Sequence, residues 1–121
     1  MGSHDDSCHR IGGGDARNLE LKPHEANLNP PGVSVLIGGT PQQAAADWRA
    51  VFSKPGPSAK AGTIGSADLD RIRELGFDVI PMPTPNFPNH GRLIHPTEGA
   101  SGFTSENLTG LSQTFTDTTG L

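Results

Sequence analysis

A chain of 121 residues is one domain of ordinary size, able to bury roughly two-thirds of the surface its unfolded form exposes. Only 32% of the residues are hydrophobic, but sixteen glycines bring the apolar share near the usual level, and the eleven prolines help to punctuate recognisable apolar segments. A net charge of −4 with no basic run longer than two residues excludes counterion-release binding to nucleic acid, and a single cysteine excludes an internal disulfide or a cysteine-rich zinc site.

Taken in chain order, residues 1–7 read as a flexible N-terminus, with the first four resembling a vector-derived scar. A first strand is predicted over 8–11, closed by Gly12-Gly13-Gly14 as a flexible turn. Leu19 and Leu21 alternate with Glu20 and Lys22, the period of an extended half-buried segment ended by Pro23. The β-branched run 33–37, stopped by Gly38-Gly39, is the clearest strand. Thr40-Pro41 then opens a helix as N-cap and first helical residue, with Ala44, Trp48, Val51 and Phe52 on one face and an end near Ser53.

A loop over 54–57 and a short extended piece over 62–65 follow. Ser66 is read as the cap of a second helix with Leu69, Ile72 and Leu75 as its apolar stripe and Gly76 just past its end. Strands are expected over 77–80 and 92–95. A third helix from Thr104 or Ser105 buries Leu108, Leu111 and Phe115, and its threonine-rich last turns run into a frayed tail at 117–121. The expectation is one α+β domain over 8–116, with a mixed or mainly antiparallel sheet and about three helices packed on it.

No run approaches the ~20 apolar residues that span a bilayer, so no membrane partner is expected. With no leader of the charged-then-apolar kind, the chain reads as cytoplasmic, or as an effector secreted without a cleavable signal.

The loop between the strands at 77–80 and 92–95 carries the strongest site signal. Its prolines remove backbone donors and hold their neighbours extended, so Asn86, Asn89, His90 and Arg92 sit on a stiff surface. His90, at the junction of loop and strand, is the better histidine candidate. Its plain alternative is a turn histidine bonded to a backbone carbonyl. Arg92 and His95 point to opposite faces, and His95 before Pro96 reads as a strand end. Ser34 places a hydroxyl on the central strand, where it either faces a pocket or serves as a small packing residue. Cys8, His4 and His9 beside Asp5 and Asp6 form a weak, flexible cluster, and no metal site is expected from it. Cys8 and His9 are neighbours on a strand and point apart, which makes a poor catalytic pair.

A strand ending in Arg10, the run Gly-Val-Ser-Val-Leu at 32–36, and Asn-His-Gly-Arg-Leu-Ile-His-Pro at 89–96 leading into Phe103, Leu108, Leu111 and Phe115 follow one another in a suggestive order. This layout resembles small bacterial effector toxins of the type VI secretion kind with an ADP-ribosyltransferase-like fold. The resemblance implies that Arg10 contacts an NAD cofactor and that Ser34 supports the nicotinamide ribose. With His90 they make the candidate catalytic set, and Arg10, Ser34, Asn89 and Arg92 the candidate cofactor contacts. It also implies a glutamate that polarises the ribose hydroxyl, for which Glu98 or Glu106 would have to serve. The absence of tyrosine rules out a His-Tyr-Glu version of that site.

Two function classes follow. One is a non-catalytic binding domain of a bacterial conflict-type system, meeting an unidentified protein partner and needing no cofactor, with the Pro-rich loop 81–89 as a partner surface. The other is an NAD-dependent ADP-ribosyltransferase-like toxin domain.

Overall fold

The computed structural model describes residues 7–52 and 61–121. The N-terminal cluster of His4, Asp5, Asp6, Cys8 and His9, from which no metal site is expected, therefore lies partly outside the described residues, and the 54–57 loop lies wholly outside them. Among the described residues no group of three or more His, Cys, Asp or Glu could hold a metal ion.

Six strands form one sheet: β1 (Ser7–Ile11), β2 (Val33–Ile37), β3 (Ile64–Asp68), β4 (Asp78–Pro81), β5 (His90–Ile94) and β6 (Thr116–Thr118). Their order is β4-β5-β2-β1-β3-β6, and every neighbouring pair is antiparallel. The helices are α1 (Ala16–Leu19), α2 (Pro23–Ala26), α3 (Pro41–Val51), α4 (Leu69–Glu74) and α5 (Ser105–Thr114), with a 3-10 turn at Gly99–Gly102. The α+β class stands, with a wholly antiparallel sheet and, among the described residues, five α-helices rather than about three.

Strand alternation divides the apolar residues between two faces. On one face Cys8, Val33, Val35, Ala67, Val79 and Leu93 pack with Leu19, Leu69, Ile72, Leu108, Leu111 and Phe115. That core belongs to α1, α4 and α5. The opposite face carries the smaller cluster of Leu36, Ile64, Ala61 and Phe87 under Ala44 and Ala45 of α3, with Trp48, Val51 and Phe52 at its margin. Because α3 lies against β1 and β3, the second face over β2 and β5 is left to the loop that carries Phe87.

Local rules explain most boundaries. The Thr40 hydroxyl accepts from the Gln43 amide at 3.1 Å, and Pro41 sits where its missing N–H leaves no gap. Thr104 caps α5 in the same way, its hydroxyl accepting from the Asn107 amide at 3.1 Å. Gly76, at φ +88°, ends α4 in a Schellman turn: its amide reaches the Arg73 carbonyl at 3.0 Å and the Phe77 amide reaches Ile72 at 3.2 Å.

Several sequence readings are corrected. Of the segment read as extended over 19–22, Leu19 instead closes the helical turn α1, whose Asp15 carboxylate cap accepts from the Asn18 amide at 2.8 Å, while Glu20 and Lys22 keep extended backbone. Pro23 ends that extended piece, as read, and also begins α2. The extended piece at 62–65 is β3 shifted along to Ile64–Asp68, so Ser66 is a strand residue and Asp68 stands before α4. Leu75, expected in the apolar stripe, is exposed. Helix α3 closes at Val51. The strand expected at 77–80 is Asp78–Pro81, and that at 92–95 is His90–Ile94. Helix α5 stops at Thr114, and Thr116–Thr118 pair with β3, so residues 117 and 118 of the expected tail belong to the sheet. Threonine suits an extended edge better than a helix end. The glycine run is no loose turn either: its three amides donate to Thr63, Arg10 and the Asp117 carboxylate.

Candidate functional site

Strands β1 and β2 pair at only two positions, Cys8 with Ile37 and His9 with Leu36, whereas β1 runs five positions along β3. Beyond His9 the two strands splay, and the Arg10 side chain fills the wedge. Its Nη1 donates to the Ser34 carbonyl at 2.8 Å, an acceptor that faces β1 and has no strand partner there, and its Nε donates to the Asn18 carbonyl at 3.0 Å. Burial pulls the Arg10 pKa down and the nearby Glu25 carboxylate pushes it back up. The guanidinium stays charged, since arginine does not deprotonate in proteins.

This wedge is one end of a cleft of about 580 Å³ on the second face of the sheet, within the range of small-molecule sites. Ser34, Leu36 and His90 form its floor; β2 and β5 place Leu36 directly opposite His90. Trp48 of α3 and Phe52 just past its end form one wall and Thr84 and Phe87 of the Pro-rich loop the other. The three rings cluster, with Trp48 4.4 Å from Phe52 and 5.8 Å from Phe87 between centroids. Arg10, Asn18 and Lys22 close the polar end. Among the described residues no carboxylate lines the cleft, although the chain as a whole carries −4.

The loop is pinned rather than merely stiffened by proline. The amides of Thr84 and Phe87 each donate to the other's carbonyl, and the Met82 amide donates to His90. The His90 ring bonds the Met82 carbonyl through Nδ1 at 2.8 Å. A carbonyl only accepts, so Nδ1 carries the proton and Nε2 of the neutral ring is left as an acceptor. His90 is thus both the carbonyl-bonded turn histidine and a cleft residue.

Of the five sequence candidates, the structure brings Arg10, Ser34 and His90 together on one cleft. Arg92 turns its Nη1 to the Pro30 carbonyl at 3.1 Å, and Asn89 brackets the end of β2 through its own carbonyl and, at 3.4 Å, its side-chain amide. Neither Asn89 nor Arg92 lines the cleft, and neither Glu98 nor Glu106 does. His95 is spent elsewhere, its ring edge-on to Phe77 at 4.9 Å and its Nδ1 accepting from the Glu98 amide at 3.0 Å.

Sequence reasoning missed Lys22 and Asn18, because the short helices α1 and α2 that position them carry no periodic signal. It placed Trp48 and Phe52 only in the core. Their spacing marked an apolar face, but not that this face also walls a cleft over β2 and β5.

No family model matches the chain, and neither a curated protein nor a solved structure matches it.

Proposed function

We propose that this domain is a binding module whose cleft takes a small ligand with a planar apolar ring and an anionic group. The carrying observation is the composition of one cleft: an aromatic wall of Trp48, Phe52 and Phe87 faces an end where, among the described residues, the charged side chains are Arg10 and Lys22. Rings stack on aromatic walls, and cations in a partly desolvated site attract anions more strongly than at an open surface. Ser34 Oγ and His90 Nε2 add a hydroxyl and an acceptor that orient the ligand's polar edge.

A second reading, NAD-dependent ADP-ribosyl transfer, is favoured by the meeting of Arg10, Ser34 and His90 in that cleft. NAD offers both a planar ring and a diphosphate, so it belongs to the proposed ligand class. The reading lacks an acid among the described residues of the cleft to stabilise an oxocarbenium-like transition state.

Thermal unfolding with benzoate, nicotinate and NAD, each at millimolar concentration, tests both readings. A ligand at one hundred times its Kd stabilises by about 2.7 kcal/mol, a shift of several degrees. The binding-module reading predicts such a shift with the simple aromatic anions, reduced in Lys22→Gln and lost in His90→Ala. A shift with NAD alone, accompanied by nicotinamide release, favours transfer. No shift with any of the three contradicts both.

A further inference from the structure

Behind the opposite end of the same sheet lies a chemistry that the cleft does not use. His9 is fully buried on β1, and its ring is held at both nitrogens. Nε2 sits 3.1 Å from the Gly39 carbonyl. Because a carbonyl only accepts, Nε2 carries the proton of the neutral ring, and Nδ1 is left with its lone pair. That lone pair faces Ser66 Oγ at 2.7 Å. The hydroxyl must therefore donate to it. The two residues are direct partners across β1 and β3, so the sheet register fixes the geometry.

Ser66 is the half-buried member and lines a second cavity of about 660 Å³, with His9 behind it. The remaining wall is mostly polar and includes Thr40, Asp68, Arg71, Gln113 and Thr116. Serine, neutral imidazole and a third group that fixes the tautomer are the parts of an activated nucleophile, here with a backbone carbonyl as the orienting group.

We propose that Ser66 is a nucleophile activated by His9, accepting an acyl group from a small polar ester in this cavity. Oγ attacks the ester carbonyl carbon while Nδ1 takes the hydroxyl proton. The carbon–oxygen bond to the leaving alcohol breaks, and that proton passes from Nδ1 to the alcohol. Water then attacks the acyl-serine, gives its proton to Nδ1 and releases the carboxylic acid, and the proton returns to Oγ. No cofactor or redox partner enters the balance. The site is separate from the Arg10–His90 cleft, so its failure leaves the binding reading untouched.

The experiment is reaction of the native protein with p-nitrophenyl acetate at neutral pH, followed by mapping of acetylated residues by peptide mass spectrometry. The expected result is acetyl on Ser66 at least ~100-fold faster than on the exposed Ser34, as general-base assistance supplies. The selectivity should vanish in urea, and Ser66→Ala should lose the early release of p-nitrophenol. His9→Gln, checked for folding by circular dichroism, should acetylate at the Ser34 rate. If that variant does not fold, the pH profile of the wild-type protein decides, because base assistance must disappear as His9 takes up a proton. Equal rates at Ser66 and Ser34, or equal labelling of Ser66 in native and unfolded chains, would overturn the proposal.

Discussion

Three adjacent residues on β1 have unlike fates, set by which way each side chain points. Cys8 faces the larger core, and burial pushes its thiol up to about 12. The thiolate is the reactive form, so a thiol-exchange reagent at pH 8 should leave Cys8 untouched in the native protein and modify it at once in urea. Rapid modification of the folded chain would contradict its placement. His9 faces the other way, and burial lowers its pKa from the ordinary 6.5, with the Gly39 carbonyl opposing. The folded chain then resists a proton that the unfolded chain accepts. Stability is therefore full above about pH 6.5 and falls as pH drops from there toward the folded value. Unfolding midpoints in urea across that window should show the loss, and His9→Gln should flatten it; an unchanged slope in the variant would assign the acid sensitivity elsewhere. Arg10 points back toward the core face but sits where β1 and β2 have parted, which lets its head reach the cleft. None of this separation follows from residue type; it follows from alternation along one short strand.

At the scale of elements, the strongest local signals in the sequence produced the structure they predict. The β-branched run at 33–37, the Thr40-Pro41 helix start, and Gly76 past the end of α4 each combine a propensity with a specific backbone demand. What misled was weak periodicity in short segments. Leu19 and Leu21 are two residues apart, but four residues capped by Asp15 suffice for a helical turn. Ser66 before an apolar stripe resembles a cap, yet its pairing with His9 holds it in β3. That misreading hid the His9–Ser66 pair, since the two residues meet only once the register is known. Two glycines test the packing account. A Cβ at Gly76 has open space apart from His95 Nε2 at 3.6 Å, so Gly76→Ala is opposed only by its left-handed backbone, about 1–2 kcal/mol. A Cβ at Gly65 would collide with the backbone of Gly13 and Gly14, which cannot retreat without giving up the bonds to Arg10 and Asp117. Gly65→Ala should lower the unfolding free energy by clearly more than Gly76→Ala, and the reverse order in denaturant titrations would refute this packing.

For the molecule as a whole, one antiparallel sheet carries a full core on one face and an incomplete cover on the other. The incompleteness makes the cleft: α3 stops at Val51, the strands β1 and β2 splay, and the pinned Pro-rich loop supplies the far wall. Arg10, Ser34 and His90 were legible as candidates from segment order and residue chemistry. Their company was not, because Lys22 reaches the cleft from an extended link between two short helices that carry no periodic signal, and Phe87 through a loop whose hydrogen bonds no pattern announces. Among the described residues no helix is long and apolar enough to cross a membrane. The chain's single tryptophan, Trp48, stands in the cleft wall and reports directly on occupancy. The most direct measurement is therefore titration of its fluorescence with 1-anilinonaphthalene-8-sulfonate, an aromatic anion, at low and high salt. A saturable quenching that weakens with salt, weakens further in Lys22→Gln and is reversed by nicotinate or benzoate is the predicted result. A tryptophan signal that stays flat, or quenching that neither saturates nor responds to salt, would contradict the assignment of this cleft as a binding site for planar anions.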